Sequence, residues 1–189
     1  MTTHVPSRPA PKPLLDAEAV SRILARIAHE LIERNPELGS LALVGIHTRG
    51  VPLARRLQRL VAERSGVEVD LGALDITHHR DDGRSRRTVL HATELDFPID
   101  GRTCVLVDDV LFTGRTVRAA MDTLLERGRP ARIQLAVVAD RGHRELPIRP
   151  DYVGKNLPTA HGERVQVQLV EIDGVDAVVL VPAGTAAGT

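Results

Sequence analysis

Short apolar runs that alternate with helical patterns constrain this chain more than any other feature. Leu41–Ile46, Thr103–Val107 and Ile133–Ala139 are runs of this kind. A strand apolar at nearly every position must be covered on both faces, as in a parallel sheet sandwiched by helices. Ahead of the first run, Asp16 can cap a helix to about Arg34, with Val20, Ile23, Leu24, Ile27 and Leu31 at helical spacing. Asn35, Pro36 and Gly39 break it. Pro52 opens a second helix that runs to about Arg64 and that Gly66 ends, and a third is expected from about Arg115 to Arg127. Val67–Ile76, Val165–Ile172 and Ala177–Val181 read as further strands. The order predicts one α/β domain over residues 14–182, with a mainly parallel sheet flanked by helices. A proline-bearing tail is expected at residues 1–13 and a small-residue tail at 183–189.

Composition narrows the function classes. Aromatic residues make up 2% of the chain and Trp is absent, so the core must be built from Val, Leu, Ile and Ala. Twenty-five basic and 25 acidic residues cancel, which excludes a globally basic nucleic-acid coat but leaves room for local patches. Lysine occurs at Lys12 and Lys155 alone, so the positive charge is nearly all Arg, whose planar fork suits phosphate. Cys104 has no partner for an intrachain disulfide and sits in an apolar run, as a small buried residue would. No stretch is long enough to span a membrane and the N-terminus has no apolar signal core, so a cytoplasmic address is expected.

The chemistry concentrates in Val105–Thr116. An apolar strand ends at Asp108-Asp109, a short loop through Val110 and Leu111 follows, and Thr113-Gly114-Arg115-Thr116 leads into a helix. Ligands of open α/β sheets bind at the carboxyl ends of strands, so the placement suits a site. The turn offers backbone N–H groups, two hydroxyls and a helix N-terminus to a phosphate, and Gly114 allows close approach. Two carboxylates would repel that phosphate, so they should face a sugar diol or a magnesium ion nearby. Phosphate at one end and a diol at the other describe a ribose 5-phosphate. An isolated Asp-Asp pair is usually only a solvated turn; the strand, acidic pair, turn and helix together reverse that reading. Neither a Walker lysine loop nor a Gly-x-Gly-x-x-Gly fingerprint competes with it.

This segment resembles the phosphoribosyl pyrophosphate motif of the type I phosphoribosyltransferases. By position, the resemblance gives Asp108 and Asp109 the ribose hydroxyls and Thr113, Gly114, Arg115 and Thr116 the 5-phosphate, with Val110 and Leu111 lining the same loop. Val44–Gly50 resembles the family's pyrophosphate loop, which implies that Thr48 and Arg49 hold the leaving group. The polar stretch from Thr77 to about Glu94 resembles the flexible hood that closes over the sugar, with Arg80 reaching pyrophosphate. His78 and His79 stand where close members carry an aliphatic and an aromatic residue. The expected reaction displaces pyrophosphate from the anomeric carbon by a base nitrogen, with Mg2+ bound alongside the activated sugar and Asp108, Asp109 and Arg80 as its catalytic groups.

Three phrases, 25–30, 134–147 and 153–156, resemble one subfamily: the bifunctional pyrimidine-operon attenuation regulators that are also uracil phosphoribosyltransferases. The resemblance implies uracil, phosphoribosyl pyrophosphate and UMP as small ligands, with Arg141 and the backbone near Val165 around the base. It also implies a pyrimidine-operon mRNA leader as partner and a homodimer or larger homo-oligomer. The residues themselves offer two basic sets for RNA. Arg22, Arg26 and His29 share the helix face opposite the apolar stripe, and Arg141, His143, Arg144, Arg149 and Lys155 follow the strand ending near Ala139. A charged helix face is usually just solvated. Ala25 stands where the subfamily often has a hydroxyl residue. Two other readings stay open from the residues: a phosphoribosyltransferase without RNA binding, and a nucleotide-sensing RNA binder whose catalysis has decayed.

Overall fold

The central strands are covered on both sides because successive residues of each point to opposite faces. This is seen in a computed structural model that describes residues 11–77 and 91–183. The main sheet contains β2 (Leu41–Ile46), β3 (Asp70–Leu74), β4 (Thr103–Leu111), β5 (Arg132–Asp140) and β6 (Tyr152–Asn156). It runs in the order β3-β2-β4-β5-β6 with every pair parallel. Leu41, Leu43, Val105, Val107, Ala136 and Val138 face the layer formed by α1 (Ala17–Arg34) and α2 (Gly50–Ser65). The alternate residues Ala42, Val44, Ile46, Cys104, Leu106, Leu135 and Val137 meet Val117, Ala120 and Leu124 of α3 (Arg115–Leu125) on the other face. The type I phosphoribosyltransferase architecture expected from the sequence is the one observed, with a central parallel sheet and flanking helices.

Local signals act where they stand. The Asp16 carboxylate accepts the Ala19 N–H at 2.8 Å and caps α1, while Gly66 ends α2 in the left-handed region at φ 72°. Cys104 is fully buried, and burial pushes its thiol up to about 11. Among the described residues no helix is long and apolar enough to cross a membrane.

Several boundaries differ from the sequence expectation. β4 does not stop at Val107 but carries the acidic pair and continues to Leu111, because its pairing with β5 extends through Val110↔Ala139 and Leu111↔Asp140. α3 ends at Leu125, two residues before the expected Arg127. Lys12 and Pro13, assigned to the tail, belong to β1 (Lys12–Leu15), which pairs antiparallel with β8 (Ala177–Val181). A proline is admissible there because β1 is an edge strand. With β7 (Arg164–Gln168) on the far side of β8, these form a separate three-stranded sheet that the sequence does not announce. The expected strand Val165–Ile172 is cut at Gln168, after which Val170–Asp173 forms the single turn α4. Residues 1–10, 78–90 and 184–189, with Arg80 and most of both tails, lie outside the described residues.

β6 is not predicted because Gly154, Lys155 and Asn156 carry no apolar pattern. Its Gly154 is nevertheless the contact point between sheet and α1. A Cβ at Gly154 would lie 2.3 Å from the Val138 carbonyl oxygen and 2.5 Å from Ile23 Cγ2. Gly154→Ala is therefore expected to destabilise the protein by about 1–3 kcal/mol, the usual range for overpacking. The measurement is the urea unfolding midpoint, and a midpoint equal to wild type would mean that α1 is free to move off the sheet.

Candidate functional site

Because β2, β4 and β5 are parallel neighbours, the loops leaving their carboxyl ends share one edge of the sheet. The first carries Thr48 and Arg49, the second Thr113–Thr116, and the third Arg141–Arg149, while Asp108 and Asp109 lie near the end of β4. Two glycines draw the first loop inward. A Cβ at Gly50 would lie 2.1 Å from the carbonyl oxygen of Val107, the residue before the acidic pair, and one at Gly45 would lie 2.5 Å from Val51 Cα. Only a residue without a side chain lets the start of α2 press against β4 in this way. The His47–Thr48 peptide is cis, and the charge of Arg49, next in the loop, acts on the Asp109 carboxylate.

The acidic pair is ordered by its own backbone. Asp108 Oδ1 accepts the Asp109 N–H at 2.9 Å, and Asp109 Oδ1 accepts the Val110 N–H at 2.8 Å. Burial pushes the Asp109 carboxyl above its ordinary pKa, opposed by its hydrogen bond with Asp108 and by the charge of Arg49. A carboxylate in that position gains from a hydroxyl donor or a cation. Among the described residues no group of three or more His, Cys, Asp or Glu could hold a metal. A cation here would take its remaining ligands from the bound molecule.

The turn after β4 leads into the start of α3, where the Arg115 N–H donates to Thr113 Oγ1 at 3.4 Å. Gly114 stands at the N-cap of α3 with φ 94° and, lacking a side chain, makes no cap hydrogen bond of its own. The Thr113 carbonyl accepts N–H groups of Glu145 and Leu146 at 3.0 and 3.1 Å, which stitches the loop after β5 onto this turn. Thr116 lies in the first turn of α3 and is half-buried. The exposed Arg115 side chain turns away to Glu145 at 2.7 Å, so its backbone, rather than its guanidinium, faces the turn.

Arg141 is buried, and its position is fixed from several sides. Its backbone N–H donates to the Leu111 carbonyl, its Nε donates to Thr159 at 3.2 Å, and its guanidinium lies 3.8 Å over the Phe112 ring. Burial lowers its pKa, against the charge of Glu163. Its Nη2 is buried without a hydrogen-bond partner among the described residues. Such an atom requires an acceptor, and a ligand carbonyl would satisfy it. Glu163 places the approach to β7 beside Arg141; Val165 itself is 9% exposed and packs in the core. Phe112 and Thr159 hold the arginine, and sequence reasoning gave neither a role. Phe112, one of two phenylalanines in the chain, was the available signal.

Arg49 donates from Nη2 to Asp173 Oδ1 at 2.8 Å, and its Nε is also buried without a partner among the described residues. Next to it, the His47 ring stacks on His91 at 4.3 Å, with an interplanar angle of 3°. Burial and the neighbouring His91 lower the His47 pKa, against Asp75 and Glu94. Burial acts to raise the Asp75 carboxyl, but hydrogen bonds from Thr77 and His91 outweigh it and hold it below its ordinary range. The Thr77 N–H donates at 2.8 Å and the His91 N–H at 2.6 Å. Asp75 thereby joins the two ends of the segment that contains Arg80, directly beside the Thr48 loop.

The basic residues divide into two kinds. Arg144 is consumed inside its own loop: it donates to the carbonyls of Ile148 and Phe112 at 2.9 and 2.8 Å and pairs with Asp140 at 2.5 Å. Arg26 ties α1 to β6 through the carbonyls of Val153 and Gly154 at 2.8 and 2.6 Å, and pairs with Glu30. That bridge merges the two sets that sequence treats separately, since it brings the face of Arg22, Arg26 and His29 alongside Lys155. Arg22 pairs with Glu18, His29 lies 3.2 Å from Glu33, and Arg149 and Lys155 are exposed. His143, also exposed, has φ 59° and its Nε2 lies 2.7 Å from the Thr159 carbonyl.

Comparison with known proteins identifies the family and the fold. Residues 12–172 match the phosphoribosyl transferase domain family. The chain is 57% identical to a protein of Chloroflexus aurantiacus named Bifunctional protein PyrR, over 89% of this chain and 94% of that one. It is 53% identical to the protein of the same name from Listeria monocytogenes, over 89% and 94% of the two chains. Among solved structures, a hypoxanthine phosphoribosyltransferase of Trypanosoma cruzi superposes with TM-score 0.71 at 19% identity, over 90% of this chain and 94% of that one, which speaks to the fold. The chain thus belongs to the phosphoribosyl transferase family, in the group formed by those bifunctional relatives.

Proposed function

We propose that the protein is a uracil phosphoribosyltransferase that also binds a pyrimidine-operon mRNA leader in response to uridine nucleotides, in the cytoplasm and as a homodimer or larger homo-oligomer. The observation that carries the enzymatic half is the close approach of Gly50 to the Val107 carbonyl, which sets Arg49 within electrostatic reach of the acidic pair. Kinship with the bifunctional relatives supports the second half. The folded domain is taken as residues 14–182, extended by the β1 residues before it.

In this reading Asp108 and Asp109 accept the ribose hydroxyls, and Val110 and Leu111 continue the strand beneath the sugar. Thr113, Gly114, Arg115 and Thr116 receive the 5-phosphate on backbone N–H groups and hydroxyls. Thr48 and Arg49 hold the pyrophosphate, joined by Arg80 from the hood. Arg141 donates its unpartnered Nη2 to a uracil carbonyl, with the backbone near Val165 closing the other edge. The pyrimidine nitrogen bonds to the anomeric carbon as the carbon–oxygen bond to pyrophosphate breaks, and the nitrogen's proton passes to solvent. Arg49 and Arg80 stabilise the charge that departs. Fixing the sugar at both ends can contribute on the order of 7–11 kcal/mol through positioning. When bound, Mg2+ neutralises pyrophosphate charge, and Asp108 and Asp109 are the described residues whose carboxylates fit it.

Phosphoribosyl pyrophosphate and uracil together should release pyrophosphate. Asp109→Asn should lower kcat/KM by about 10–100-fold, the scale of one charge-assisted hydrogen bond. A folded wild-type protein that releases none with uracil overturns the enzymatic reading.

For RNA, the joined face of Arg22, Arg26, His29, Arg149 and Lys155, with His143 and Arg144 on the loop before β6, is the proposed contact surface. Arg149→Ala and Lys155→Ala should each weaken leader-hairpin binding and flatten its salt dependence by about one unit of slope without changing the melting midpoint. Arg144→Ala should lower the melting midpoint as well, because its loop loses its brace. Hairpin affinity, measured across salt concentrations, decides; wild-type slopes in the Arg149 and Lys155 variants would move the RNA elsewhere.

A further inference from the structure

Arg49 is not a free loop cation. Its Nη2 is bound to Asp173 Oδ1, while Asp173 Oδ2 accepts the N–H of Leu169 at 2.9 Å, so the carboxylate is held at both oxygens and cannot rotate. α4, which carries Asp173, is itself strapped to α2. Arg56 donates to Glu171 at 2.8 Å and to both oxygens of Asp176 at 2.9 and 2.8 Å, and Asp176 in turn accepts the N–H of Val170. Arg49 and Arg56 are seven residues apart, about two helical turns, so both reach α4 from one face of α2. The Arg49 side chain keeps 28% of its surface exposed and that of Asp173 17%, so the pair is part-buried with one side open to a ligand.

We infer that Asp173 is a positioning residue for pyrophosphate recognition: by taking Nη2 from behind, it aims the rest of the Arg49 fork at the leaving group. The inference rests on the reading of Arg49 as the pyrophosphate arginine. Arg49 Nε has no hydrogen-bond partner among the described residues, a donor that pyrophosphate would satisfy by closing against the fork. Asparagine cannot replace the aspartate, although it has the same shape. Asp173 receives two donors on two oxygens, whereas an amide offers one oxygen and one NH2. Whichever way the amide is turned, either Arg49 or the Leu169 N–H meets another donor. The Asp173 side chain bonds to Arg49 and Leu169, neither of which is assigned above to the sugar or the base, so its effect should be confined to ligands that carry pyrophosphate.

The test compares two ligands on the full-length protein in the presence of Mg2+, by calorimetry: phosphoribosyl pyrophosphate, and UMP, which has base, ribose and 5-phosphate but no pyrophosphate. Asp173→Asn should weaken phosphoribosyl pyrophosphate about tenfold, the scale of one charge-assisted hydrogen bond, and UMP less than about twofold. Arg49→Ala should weaken phosphoribosyl pyrophosphate at least as much, and adding Asp173→Asn to it should cause no further loss, since the aspartate acts only through the arginine. Equal loss of both ligands, unchanged phosphoribosyl pyrophosphate affinity, or additive losses in the double variant overturns the inference. If Asp173→Asn does not fold, Asp173→Glu, which displaces the charge by one methylene, takes its place with the same expected selectivity. A folded wild type that binds UMP but not phosphoribosyl pyrophosphate would instead bring down the reading of Arg49 itself.

Discussion

Everything in this molecule follows from a sheet whose strands are buried on both faces. Leu41, Leu43 and Val105 meet α1 and α2 while Ala42, Val44 and Leu106 meet the α3 side, so a polar side chain within the sheet needs a partner there, as buried Gln134 finds in the Tyr152 hydroxyl. Polar groups are driven to the strand ends, and parallel strands put their carboxyl ends together. The site is therefore less an addition to the fold than the place where its backbone stops being dry. Gly45 and Gly50 refine that geometry by bringing the start of α2 against β4.

Once the loops share an edge, they still have to be held, and this protein does so with arginine rather than with aromatic packing. Arg141 rests on Phe112, Arg144 grips three carbonyls of the loops after β4 and β5, and Arg56 straps α4 to α2. Arg144 and Arg56 each use the planar fork to satisfy several acceptors at once, which a lysine ammonium would do with less geometric definition. The near absence of lysine thus has a structural consequence inside the loops besides any role on the surface. A chain with few aromatic residues stiffens its functional edge by charge-assisted hydrogen bonds.

That dual use also explains which parts were legible in the sequence. The apolar runs declared the strands, Asp16 and Gly66 declared helix ends, and Asp108 to Thr116 declared an acidic strand end running through a turn into α3, because each depends on neighbours within a few residues. β6 was hidden because it packs through Gly154, which must be small against Ile23 and the Val138 carbonyl, and through a lone buried Tyr152, not through an apolar run. β1 was hidden because a proline-bearing edge strand exists only when β8 is there to pair with it. Asp173 and Thr159 were hidden for the same reason: their partners lie 124 and 18 residues away, and no local pattern marks them.

The arginines show how far residue type alone can carry an argument about RNA. Arg144 and Arg149 stand five positions apart in one basic stretch, yet one is enclosed by carbonyls and the other is exposed. Arg26 belongs to both kinds, because it holds α1 to the Val153 and Gly154 carbonyls while lying on the face that carries Arg22 and His29. Such a residue joins a basic helix face to the edge strand of the sheet that carries the candidate site. Displacing Arg26 toward a phosphate would release two β6 carbonyls, and β6 is hydrogen-bonded to β5, whose far end leads to Arg141. The contacts from Arg26 through β6 and β5 to Arg141 are continuous and run between elements of fixed register.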